Sequence, residues 1–285
     1  MTAGATEKLS DFNFAQLSSR ELGFWSTLLS SPDFKSALRR VVESRTMATE
    51  NPAIAENLER VQERVARAAE RAGRRVEEVT IVAVSKTFPF EAIREAYDAG
   101  LRHFGENRVQ EWESKEARVA DLGATWHLIG HLQSNKARRA AGIFDRVDSV
   151  DSFALAQKLD AAVAERGAAN DKRLRVLIEV RLGDESTKSG IAEAGLGALA
   201  EGVAGLANLE LLGLMTIPPF LDGPEQVRPY FSKLRELGED LARRLGRLLP
   251  VFSMGMSHDF EIAVEEGATE IRVGTALFGA RRLSQ

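Results

Sequence analysis

An α/β fold closed into one eight-stranded parallel barrel, the TIM-barrel architecture, is predicted by three features of this sequence. Short apolar, β-branched runs alternate with helical stretches through about eight units, and parallel strands need such helical crossovers. No hairpin turn signal joins two neighbouring strands. The alternation also occupies a length at the compact end for a single barrel, within a chain of 285 residues. A doubly wound open sheet is the alternative, but the first strand lacks the Gly-x-Gly-x-x-Gly turn behind it.

The elements follow in order. Ile54, Leu58, Val61, Val65 and Ala69 recur at helical spacing, so residues 53–72 read as an amphipathic helix stopped by Gly73. Residues 79–85 form an apolar, β-branched run of strand length. A helix at 91–99, ended by Gly100, leads to a strand at 102–105, and a helix at 108–120 leads to a strand at 125–129. Helix 134–141 precedes strand 146–150, helix 152–165 precedes strand 174–180, and helix 194–206 precedes strand 209–214. Helix 225–247 precedes strand 251–253, and helix 260–266 precedes strand 270–273. A last short helix ends the series.

Residues 1–46 stand outside this pattern. Phe12, Phe14, Phe24, Trp25 and Phe34 crowd there, although aromatics make up 7% of the chain. Two readings stand: an N-terminal extension that docks by its aromatics, or an upstream in-frame start with the natural chain beginning at Met47. Its acidic residues argue against a mitochondrial transit peptide, and Lys8, Asp11, Arg20 and Glu21 interrupt any secretory h-region. The barrel is assigned to 47–285 and the extension, of unknown role, to 1–46.

Composition narrows the function classes. The charge balance, 38 Lys+Arg against 42 Asp+Glu, lacks the basic excess of a nucleic-acid surface. No apolar run approaches the roughly 20 residues of a membrane span. With no cysteine, a disulfide scaffold, a thiolate zinc site and a cysteine nucleophile are excluded together. A cytoplasmic protein without nucleic-acid or membrane partners is expected.

Chemistry in such barrels sits at the C-terminal ends of the strands. Period-two alternation puts Thr80, Val82, Val84 and Lys86 on one face of the first strand. If that face points inward, Lys86 stands at the rim of the barrel mouth. Burial there lowers a lysine's pKa, and a neutral amine condenses with an aldehyde. The plain alternative is a strand-end lysine extending to solvent. After the seventh strand come Met254, Gly255, Met256 and Ser257, and after the eighth Gly274 and Thr275, each turn opening a helix. Small turns of this kind present N–H groups and a hydroxyl to a phosphate, and barrels often use those two strands for it. A phosphate-bearing aldehyde held by a lysine is pyridoxal phosphate.

Eight ordered segments carry a resemblance: AVSKT (83–87), HFGEN (103–107), WHLIG (126–130), LQSNK (132–136), STKSG (186–190), GLMTI (213–217), SMGMS (253–257) and IRVGT (271–275). From about residue 51 to 281 the chain resembles the pyridoxal phosphate homeostasis protein family. The resemblance implies a barrel of the alanine-racemase N-terminal type (PLP fold type III) that carries its cofactor without established turnover. It implies Lys86 as the Schiff-base lysine, with Ser257, Gly274 and Thr275 on the phosphate, Asn107 beside the ring and Arg272 near the pyridine nitrogen. An arginine there disfavours protonation of that nitrogen and weakens the ring as an electron sink. The expected partners are pyridoxal phosphate and apo-enzymes that receive it, and the expected state is a monomer or weak dimer. One departure stands out: many relatives carry a second lysine where this chain has Phe88, which leaves Lys188 as another candidate amine.

Blander readings cover the remaining residues. His127 and His131 lack the helical context of a zinc pair; His127 could line the cofactor pocket, and His103 and His131 read as structural. Lys136, Arg138 and Arg139 read as a solvated helix face, and Asp184 and Glu185 as part of a loop. The rival function is a pyridoxal-phosphate enzyme such as an amino-acid racemase. Racemases of this fold draw a second base, a tyrosine, from a separate β-domain. Tyr97 and Tyr230 are the chain's two tyrosines, both on barrel helices, and little sequence follows the eighth unit. Carriage of the cofactor is therefore expected ahead of catalysis.

Overall fold

The computed structural model describes residues 54–166, 173–183, 189–219, 221 and 223–280. Its eight barrel strands are β1 (Thr80–Val84), β2 (His103–Glu106), β3 (Thr125–Leu128), β4 (Arg146–Val150), β5 (Leu174–Arg181), β6 (Leu209–Met215), β7 (Val251–Ser253) and β8 (Glu270–Val273). Each pairs in parallel with the next, and β8 returns to β1, so the sheet closes. Every strand lies where the apolar runs predict it, to within one residue at either end. A further two-residue strand, Ile191–Ala192, pairs with the end of β5. It is too short for hydrophobic periodicity to register.

The outer layer consists of α1 (Ile54–Arg71), α2 (Phe90–Asp98), α3 (Val109–Glu113), α4 (Glu116–Val119), α5 (Ala137–Ile143), α6 (Phe153–Ala164), α7 (Glu193–Ala204), α8 (Arg228–Leu245), α9 (Phe260–Glu265) and α10 (Thr275–Phe278). The helix expected over 108–120 is broken into α3 and α4. The break falls at Lys115, whose ammonium turns inward to pair with the buried Glu106 at 3.0 Å. The helix expected from 225 opens as a 3-10 turn, Pro224–Val227, and α8 ends at Gly246, whose left-handed φ of 62° a glycine accepts without a Cβ clash.

The first helix closes the outer layer across the seam between the last and first strands. Its buried stripe, Leu58, Val61, Val65, Ala68 and Ala69, packs against α2, α9 and α10. Leu58, Val61 and Val65 each contribute about 1.5–3 kcal/mol by their burial. Arg64 forks onto Glu261 at 2.7 and 2.8 Å, and Asn57 Nδ2 donates to the carbonyl of Leu277 at 2.7 Å. The described helices include none long and apolar enough to cross a membrane.

Strand register settles which face of β1 looks inward. Val82 lies opposite His103 on one side and Arg272 on the other, and both of those side chains join a polar interior network. The inward set within β1 is therefore Thr80, Val82 and Val84, as the alternation predicts, and Lys86 follows two residues beyond Val84. The barrel floor is charged. Arg146 reaches Asp148 at 2.5 and 2.8 Å and Glu270 at 2.5 and 2.6 Å, and all three residues are buried. His127 lies 3.4 Å from Asp148 and 3.1 Å from His103. On β8 this floor sits one inward layer below Arg272 and two below Gly274, because side chains alternate along a strand.

Candidate functional site

Lys86 lies two residues beyond the end of β1 and is half-buried. The turn that carries it is unusual. Thr87 has φ of 69°, the left-handed region that a β-branched residue enters at a cost of order 1–2 kcal/mol. Its main-chain N–H donates to Glu111 Oε1. On the other flank, Ser85 Oγ donates to Glu106 Oε1 at 2.8 Å, and Lys115 Nζ donates to the Ser85 carbonyl at 3.1 Å. Burial pushes the Glu106 carboxyl above the ordinary carboxylate range, despite Lys115 and Ser85 beside it. Burial acts on Glu111 in the same direction, but the Thr87 amide and Lys115 override it and lower its pKa.

The turns after β7 and β8 meet. Ser257 Oγ accepts from the Gly274 N–H at 3.2 Å and from the Ala276 N–H at 3.3 Å, so a hydroxyl and two amides converge at one point. Thr275 heads α10 between them. The β7 turn is shaped by Gly255, at φ of 90°, where a Cβ would lie 2.5 Å from that of Ala263. Arg272 is 3% exposed, and its guanidinium donates to Ser253 Oγ and to the Thr216 carbonyl, each at 2.8 Å. Burial lowers its pKa, yet an arginine remains a cation in proteins. Opposite it, desolvation raises buried Glu179 to about 7, with Arg272 opposing the rise.

Asn107 follows β2 directly, and its main chain is the close neighbour of Gly130 beyond β3. A Cβ on Gly130 would lie 2.3 Å from the Asn107 carbonyl oxygen, so glycine is needed for this approach. Phe88 stacks on Phe278 of α10 with ring centroids 4.8 Å apart, which ties the Lys86 turn to the helix that Thr275 begins. Gly274 also adjoins β1, its Cβ position lying 3.5 Å from Val84 Cβ. The six predicted residues thus issue from β7, β8, β1 and β2, four consecutive strands of the closed barrel. The pairing of β8 with β1 sets the strand that leads to Gly274 beside the strand that leads to Lys86.

Converging amides and a hydroxyl suit a phosphate, and a half-buried lysine two residues beyond Val84 suits an aldehyde, so the residues present fit pyridoxal phosphate. His127 is fully buried in the barrel floor instead of lining a pocket, because the inward parity of β3 carries it toward Asp148. His127, Asp148 and Glu270 lie close enough to suggest a metal triad, but Arg146 already binds both carboxylates and supplies the cation. Burial alone would raise Asp148, and Arg146 and His127 more than offset that, holding it well below the usual carboxylate range.

The chain matches the alanine racemase N-terminal domain family over residues 54–282. It is 48% identical over 227 residues to a pyridoxal phosphate homeostasis protein of Aquifex aeolicus, covering 80% of this chain and 98% of that one. The chain belongs to the pyridoxal phosphate homeostasis protein family. PipY of Synechococcus elongatus, solved with PLP bound, matches at 42% identity with a TM-score of 0.68, covering 79% of this chain and all of that one. An alanine racemase from Corynebacterium glutamicum shares the fold at 18% identity and a TM-score of 0.57, over 80% of this chain and 60% of that one.

For a pyridoxal phosphate homeostasis protein, the two tyrosines are informative. Tyr97, on α2, packs against the Arg102 guanidinium 4.0 Å from its ring, at the N-terminal end of β2 and away from the mouth. Tyr230 lies in the first turn of α8, in a groove with Arg181, Glu193 and Lys233. Of the basic run, Arg138 and Arg139 are mostly exposed and Lys136 is half-buried. Lys188, Asp184 and Glu185 lie outside the described residues. The charged residues Glu106, Glu111, Lys115 and Glu179 were not singled out from sequence. Glu106 sits inside the HFGEN segment, but a single carboxylate in a strand gives no sign of which side chain it will meet.

Proposed function

We propose that this chain binds pyridoxal 5'-phosphate, holds it as a Schiff base on Lys86 and serves its homeostasis in the cytoplasm by buffering it or passing it to apo-enzymes. A barrel over 47–285 with an appended 1–46 is part of the same proposal. The observation that carries the reading is the adjacency of β1, which leads to Lys86, to β8, which leads to Gly274 and Thr275. The relatives named for pyridoxal phosphate homeostasis and the PLP-bound PipY structure support it.

Bound pyridoxal phosphate supplies an aldehyde and a conjugated ring that accepts electrons. In this reading Lys86 would supply the amine that holds the cofactor's aldehyde. Ser257 Oγ and the amides beside it take the phosphate, and Asn107 lines the ring. Arg272, as a fixed cation, keeps a proton off the pyridine nitrogen, so the ring stays a poor electron sink. A site of that kind retains a cofactor better than it drives carbanion chemistry.

The experiment is to load the purified protein with pyridoxal phosphate, reduce it with borohydride and map the pyridoxyl adduct. The expected result is a single adduct on Lys86 and transfer of unreduced cofactor to an apo-enzyme. An adduct confined to another lysine sinks the Lys86 assignment. Alanine racemization at rates typical of an enzyme would favour catalysis over carriage.

A further inference from the structure

The turn bearing Lys86 is held on both flanks by one cluster of charged side chains, two of them buried. Lys115 is 8% exposed, and its ammonium donates to the Ser85 carbonyl at 3.1 Å, to Glu106 Oε1 at 3.0 Å and to Glu111 Oε1 at 2.9 Å. An ammonium has three donors, and this one directs all three at the turn or at groups that hold it. Glu106 accepts from the Ser85 hydroxyl, fixing the residue before Lys86. Glu111 accepts from the Thr87 main chain, fixing the residue after it. Thr87 is the non-glycine residue with positive φ among the described residues, and such backbone persists only where its surroundings over-determine it.

Stability alone is a weak reason for this arrangement. Taking an ion pair out of water is costly, and apolar residues of similar volume often serve a core as well or better. The same cluster also breaks a helix, since α3 and α4 part where Lys115 turns inward. What it secures is the backbone on either side of one residue. We propose that Lys115, Glu106 and Glu111 are positioning residues that hold Ser85 and Thr87, and so present the Lys86 amine at one place in the barrel mouth. This inference rests on Lys86 being the attachment site.

The test has one arm without cofactor and one with it. In the apo-protein, amide hydrogen exchange at Thr87 is compared between wild type, Glu111→Ala and Lys115→Met. Loss of the Glu111 acceptor is expected to speed Thr87 exchange about tenfold or more, with exchange in β4 and β5 unchanged. In the second arm, pyridoxal phosphate is added and the borohydride-trapped adduct at Lys86 is followed in time. Both variants are expected to form it about tenfold more slowly, because a misplaced nucleophile loses much of its effective concentration. Lys115→Arg, which keeps a cation with several donors, is expected to recover part of that rate. Should Lys115→Met not fold, Glu111→Ala, at a partly exposed position, carries both arms. Unchanged exchange and trapping rates, with the wild-type adduct on Lys86, would overturn the positioning role alone. An adduct on another lysine would overturn it together with the Lys86 assignment.

Discussion

Lys86 and Glu179 are two ionisable residues whose environments assign them different work. Lys86 is half-buried at a strand end, so truncating it opens no core cavity. Lys86→Ala is expected to abolish the trapped adduct while changing the stability of the apo-protein by no more than about 0.5 kcal/mol, as read by urea unfolding. Glu179 is buried, and its Oε2 has no hydrogen-bond partner among the described residues. Its folded pKa, raised to about 7 by desolvation, exceeds the ordinary value of 4.5. The group therefore favours the folded state below pH 4.5, and that contribution is lost as pH rises through 7. Glu179→Gln should gain stability relative to wild type across this window, by about 3 kcal/mol at most, and show a flat difference outside it. Urea midpoints taken from pH 4 to 8 check the slope, and a constant difference would refute it.

At the level of elements, β4 and β8 are tied across the floor through Arg146, Asp148 and Glu270. Removing the cation leaves two buried carboxylates facing each other. Arg146→Ala is expected to cost about 3–5 kcal/mol, measured by denaturant unfolding, well above a surface charge deletion. The strands themselves were legible, since apolar β-branched runs separated by helices leave few alternatives. The charged floor was written there as well, in the alternation Arg146-x-Asp148 and Glu270-x-Arg272, but its meaning was not. A charge in a strand reads equally as solvent-facing or inward until the partner strand is known, and β4 and β8 are 124 residues apart at Arg146 and Glu270. The helix over 108–120 failed for a related reason. Its propensity is adequate throughout, and a long-range contact from Lys115 to Glu106 and Ser85 outweighed it.

For the whole molecule, a ligand that binds the folded barrel must stabilise it. Pyridoxal phosphate at a hundredfold excess over its Kd should raise unfolding stability by about 2.7 kcal/mol in wild type. Lys86→Ala should show a smaller shift, from phosphate and ring contacts alone. The first helix begins at Ile54 and the family match at residue 54. A chain starting at Met47 is accordingly expected to keep both its thermal midpoint and its cofactor titration; loss of either would make residues 1–46 part of the working barrel.

The order of strands and helices follows from local hydrophobic periodicity, which neighbouring residues determine among themselves; the closure of the sheet and the inward face of β1 were decided by the pairing of β1 with β2 and β8. The motifs around Lys86, Ser257 and Gly274 were equally readable, because backbone turns and strand ends are local too. Where those motifs meet was decided by the closing pair between β8 and β1. So were the Arg146 floor and the Phe88–Phe278 stack, in which each side chain finds a partner far away in the sequence. Such contacts are made across the barrel, where sequence separation carries no information about distance.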